Sequence, residues 1–145
     1  MKRLILICSI AVLAISCNSK SKNNETKENT EVNSFFTADS AITYVYYFHG
    51  KQRCKTCITV GNLAQRTVEE IFSNNDKIKF IEVNTTNEFY KELVNKYEVS
   101  WNALIVAEEN NATDITEQAF ILAQTAPEDL VDLIKETVNG KQSIK

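Results

Sequence analysis

At 145 residues the chain has room for one domain and little else. Its balance is mildly acidic, 19 Asp and Glu against 16 Lys and Arg, and no basic stripe is visible, which argues against nucleic acid as a partner. Of the four cysteines, Cys8 and Cys17 belong to the N-terminal segment. The folded part therefore keeps one pair, Cys54 and Cys57, which excludes both a disulfide framework and a four-cysteine zinc site.

Met1-Lys2-Arg3 supplies a positive start, and Leu4 to Ile15 is an apolar stretch of 12 residues. That is too short to span a bilayer but fits the apolar region of a signal peptide. The stretch runs through Leu13-Ala14-Ile15-Ser16-Cys17 and turns polar at Asn18, an ending that resembles a bacterial lipobox. The usual leucine three places before the cysteine is Ala14 here, with Leu13 one place further off. On this reading residues 1–17 are a lipoprotein signal, and Cys17 is lipidated and becomes the membrane-anchored N-terminus. The other reading is an ordinary secretory signal cut nearby, with Cys17 incidental. Both take the chain out of the cytoplasm to a compartment where disulfides persist, and the first places it in the bacterial cell envelope, lipid-anchored and facing the periplasm. Without Lys2 and Arg3, 14 basic residues face 19 acidic ones. Residues 18–37 are rich in Asn, Ser, Thr, Lys and Glu and cannot bury enough surface to offset their ordering entropy. They read as a flexible tether with a reach of roughly 25 Å.

The run from Ile42 to Phe48 is β-branched, aromatic and almost continuously apolar, a pattern that predicts a buried central strand. A short polar loop then delivers Cys54-Lys55-Thr56-Cys57 to a helix marked by Ile58, Gly61, Ala64, Val68, Ile71 and Phe72 and ended by Ser73-Asn74-Asn75-Asp76. Gly61 costs that helix about 1 kcal/mol against alanine. It is either a close approach to the sheet or a tolerated defect. Ile78 to Val83 predicts the next strand. Thr85-Thr86-Asn87-Glu88 has the form of a capping box opening a helix with Phe89, Leu93 and Tyr97 on one face. Leu104–Ala107 and Asp114–Leu122 read as paired strands around a turn at 108–113. Thr125-Ala126-Pro127-Glu128 opens a last helix, with Leu130, Leu133, Ile134 and Val138 as its apolar stripe and Gly140 as its stop.

A cysteine at a helix N-terminus meets unpaired backbone N–H groups and the positive end of the macrodipole, both of which favour thiolate. Cys54, the nearer to the terminus and the more exposed, is expected to attack a disulfide. Cys57, one turn along, resolves the mixed disulfide. Arg53 and Lys55 flank Cys54 and add positive charge. His49, the only histidine, could relay a proton or join the cysteines as a metal ligand, while the plainer reading is a partly solvated strand end. The cluster Tyr44, Tyr46, Tyr47 and Phe48 is most simply sheet packing. The pairs Glu69-Glu70 and Glu108-Glu109 read as solvated faces.

From Ala38 to Gly140 the chain resembles the thioredoxin superfamily. The likeness rests on the Cys-x-x-Cys at a strand–helix junction, on Glu82-Val83-Asn84 before the second helix, on Tyr97-Glu98-Val99 leading into a strand, and on the hairpin and closing helix. Tyr47-Phe48-His49-Gly50 with Arg53-Cys54-Lys55-Thr56-Cys57 is also similar to a small bacterial thioredoxin-like family labelled nitrophenyl-compound nitroreductase subunit, a name that implies electron transfer with a partner. The resemblance implies an α/β thioredoxin-like fold over residues 38–145, a central mixed β-sheet flanked by helices, and no cofactor. It also places Trp101, Asn102 and Ala103 in the loop that faces the substrate. Two family features are missing. The loop Ser100-Trp101-Asn102-Ala103 has no proline, the only one being Pro127, and Tyr46-Tyr47-Phe48 holds no carboxylate below the cysteines. The expected function is thiol–disulfide exchange with a disulfide- or dithiol-bearing partner protein. The alternatives are a soft-metal module of Cu(I) type using Cys54, Cys57 and His49, and a non-catalytic subunit whose disulfide is a clasp.

Overall fold

A computed structural model of the chain describes residues 42–142. The signal, Cys17, the tether and the first residues of the expected domain lie outside the described residues. Among the described residues, no helix is long and apolar enough to cross a membrane.

Four strands form one mixed sheet: β1 (Thr43–His49), β2 (Ile78–Asn84), β3 (Ala103–Glu108) and β4 (Asn111–Asp114), in the order β2-β1-β3-β4. β1 is central, as its apolar run predicts, parallel to β2 and antiparallel to β3. A parallel neighbour needs a crossover connection, and α1 (Lys55–Arg66) with its π-helical extension Thr67–Ile71 supplies it. The pleat of β1 then divides the core in two. Val45 and Tyr47 pack with Leu104 and Val106 beneath α1, α3 (Thr116–Thr125) and α4 (Pro127–Gln142). Tyr46 and Phe48 pack with Ile105 against Leu93 of α2 (Lys91–Lys96), which follows a 3₁₀ turn at Glu88–Tyr90. The chain is thus α/β, with helices on both faces of the sheet.

The buried face of α1 is Cys57, Val60, Gly61 and Ala64, continued by Thr67 and Val68. Ile58 and Ile71, expected on that face, are exposed. With Cys57 turned inward its neighbour Ile58 must point out, and the wider π turn carries Ile71 away from the core. Gly61 settles the other choice left by the sequence. A Cβ there would lie 2.6 Å from Cε1 of Tyr47 and 2.8 Å from a guanidinium nitrogen of Arg53, so the missing side chain lets the helix close onto the central strand.

Five further expectations are corrected. The segment 114–122 is not a strand: β4 ends at Asp114, and α3 follows. The Asp114 carboxylate accepts from the Thr116 N–H at 2.8 Å, which turns the chain, and Ile115, Ala119 and Ala123 bury at four-residue spacing. Thr85 is not an N-cap. Its N–H and hydroxyl both donate to the His49 carbonyl, at 2.9 and 3.2 Å, while Asn87 caps the 3₁₀ turn through the Phe89 N–H at 3.0 Å. Thr125 closes α3, its hydroxyl donating to Ile121 O at 3.0 Å, so Pro127 opens α4 without that cap. Gly140 does not stop this helix, which continues to Gln142. Glu108, read as solvated, is buried at the end of β3, whereas Glu69, Glu70 and Glu109 are exposed.

Candidate functional site

The loop after β1 brings Cys54 to the N-cap of α1, where its Sγ accepts from the Cys57 N–H at 3.1 Å. This is one of the N–H groups that a helix start leaves without an intrahelical partner. The first turn carries no acidic residue, so no carboxylate of that turn opposes a negative charge on the sulfur. Cys54 and Cys57 form a disulfide with their Cα atoms 5.0 Å apart. The two are unequal in access: Cys54 is exposed, Cys57 only 5% so. An incoming sulfur can reach Cys54 alone.

Tyr47 forms the floor of the site. Its ring is fully buried, and its hydroxyl donates to the Cys57 carbonyl at 2.6 Å, anchoring the first turn of α1 to β1. Burial raises the Tyr47 pKa above its ordinary value; the Arg53 charge and hydrogen bond partly counter this, and Glu82 adds to it. The hydroxyl is thus a proton donor at all ordinary pH.

Arg53 does not extend into solvent. Its guanidinium lies over the Tyr47 ring, 5.3 Å from the centroid, and Nη1 reaches Glu82 Oε1 at 2.6 Å. His49 approaches the same carboxylate oxygen through Nε2 at 3.5 Å, stacks on Tyr47, and places Nδ1 2.8 Å from the Gly50 carbonyl. It is 9% exposed, so the solvated strand end read from the sequence is in fact a buried one. Among the described residues no three His, Cys, Asp or Glu side chains gather as a group able to hold a metal. The set Cys54, Cys57 and His49 is therefore not brought together. Lys55, the first residue of α1, is exposed.

An open groove of about 460 Å³ runs beside the disulfide, lined by Arg53, both cysteines, Trp101, Asn102 and Phe120. Trp101 is 74% exposed, so it packs neither in the core nor at a sheet edge. The Asn102 Oδ1 is buried with no hydrogen-bond partner among the described residues. Ala103, grouped with these two by sequence, instead opens β3 opposite Phe48 and packs in the second core cluster.

Sequence reading missed Glu82, Tyr47 and Phe120 as parts of this site. The only signal for Glu82 was a lone acid in the apolar strand Ile78–Val83. The parallel register Tyr47↔Glu82 is what turns it toward Arg53. Phe120 was hidden in a segment read as a strand.

No protein-family description and no curated protein matches the chain. A solved structure described as "Structure of a malarial protein" is similar at 19% identity and a TM-score of 0.43, over 66% of this chain and 96% of that one.

Proposed function

We propose that the protein is a thiol–disulfide oxidoreductase of the bacterial cell envelope, built on a thioredoxin-like fold and tethered to the membrane through lipidated Cys17. Its substrate is a disulfide- or dithiol-bearing partner protein. The observation that carries this reading is the unequal disulfide at the start of α1, one sulfur offered to solvent and the other sealed beneath it. In the reducing direction the Cys54 thiolate attacks one sulfur of a partner disulfide, forming a mixed disulfide and releasing the other partner sulfur. The Cys57 thiolate then attacks Cys54 Sγ and releases the second. Two electrons and the two thiol protons pass to the partner, which leaves as a dithiol while the Cys54–Cys57 disulfide is restored. The reverse sequence oxidises a partner dithiol.

The groove supports a protein substrate over a small thiol. Trp101 offers a large apolar surface beside Cys54 on which a segment of a partner protein can pack. The test compares two substrates with the reduced protein. Trp101→Ala should slow reduction of insulin disulfides several-fold while leaving exchange with oxidised glutathione unchanged. Equal loss on both substrates, or none on either, contradicts a docking role for this face.

A further inference from the structure

We propose that Glu82 sets the redox poise of the Cys54–Cys57 pair by holding and neutralising the Arg53 guanidinium, so that Glu82 and Arg53 act as opposed positioning residues. The inference rests on the redox reading above and deepens it.

Arg53 immediately precedes the attacking cysteine and lines the same groove. On its own, a guanidinium there would favour the Cys54 thiolate strongly. The fold does not leave it on its own. Three elements build a seat for this one side chain. β1 supplies the Tyr47 face, and β2 supplies the Glu82 carboxylate. α1 supplies the space over Gly61, where any Cβ would stand 2.8 Å from Nη2. The Arg53 Nε is buried, and the side chain is only 24% exposed. Such a seat differs from a surface ion pair, because the arginine is held by packing as well as by charge. His49 Nε2 lies 3.5 Å from the same carboxylate oxygen. The cation next to Cys54 is therefore fixed in place and offset by a fixed anion.

The consequence is a pair of effects with opposite signs. Glu82→Gln keeps the shape of the seat and removes the anion. The uncompensated Arg53 charge then stabilises the Cys54 thiolate and, with it, the dithiol form, which makes the pair more oxidising. Arg53→Ala removes the cation, leaves the Glu82 carboxylate without it, and does the reverse. A purely structural ion pair would give two variants that lose stability together and shift the redox equilibrium alike.

The experiment equilibrates the purified full-length protein with glutathione buffers and counts free thiols by trapping. Thiolate absorbance against pH gives the Cys54 pKa in parallel. Relative to wild type, Glu82→Gln should move the equilibrium toward dithiol by about tenfold, equivalent to about 30 mV for this two-electron couple, and lower the Cys54 pKa. Arg53→Ala should move both in the other direction. Glu82 is 45% exposed, so the isosteric change leaves folding intact. Variants that leave both quantities unchanged, or move them in one common direction, overturn the inference while a wild-type pair that exchanges normally keeps the redox reading. A wild-type pair that does not exchange overturns both.

Discussion

Replacing Cys57 with alanine should leave the protein covalently joined to its partner through Cys54, with turnover reduced to background. The expectation follows from access. The exposed Cys54 still attacks, but no second thiol remains in reach to release the adduct. Cys54→Ala should give no adduct at all, because the surviving Cys57 is 5% exposed, on the buried face of α1. Expression of each variant in the native cell, separation without reductant and mass analysis of the adduct checks both statements. Adducts through Cys57, or equal trapping by the two variants, would contradict the assignment of roles. The capture also names the partner, which nothing in the residues identifies.

Tyr47→Ala should destabilise the fold by about 3–5 kcal/mol, the range for deleting a large buried aromatic side chain. Against a total of about 5–15 kcal/mol for a domain of this kind, that removes a large share of the stability. The ring is fully buried in the core beneath α1, and it also carries Arg53 on its face and His49 alongside. Tyr47→Phe keeps those contacts and removes only the hydroxyl's bond to the Cys57 carbonyl, which keeps its intrahelical partner, at a cost of about 1 kcal/mol for one net hydrogen bond. Denaturant unfolding of the oxidised protein separates the two. A Tyr47→Ala variant no less stable than Tyr47→Phe would show that the ring is not the support described here.

What could be read from the sequence was local. The run Ile42–Phe48 announced a central strand because both faces had to be apolar, and both faces of the strand found at Thr43–His49 are buried. The start of α1 at Cys54 and the stripe Leu130, Ile134 and Val138 were equally plain. Segment 114–122 misled because Ile115, Thr116 and Ile121 have strand propensity, whereas Ile115, Ala119 and Ala123 are buried at four-residue spacing, as one face of a helix. Thr85 and Thr125 matched capping patterns, yet each hydroxyl found another carbonyl, and only the tertiary arrangement shows which. Glu82 was invisible for a different reason. It sits in a strand, and its partner Arg53 is 29 residues away. Neither spacing nor propensity carries the register that joins them.

The central claim is that Cys54 and Cys57 form a redox pair and not a structural clasp. The most direct measurement is the equilibrium of the wild-type pair with glutathione, read by thiol trapping. A redox pair should show one reversible two-electron transition, with a potential between that of a strong reductant and that of an oxidant, about −270 to −120 mV. A disulfide that stays closed to potentials below about −300 mV would behave as a structural bond and contradict it.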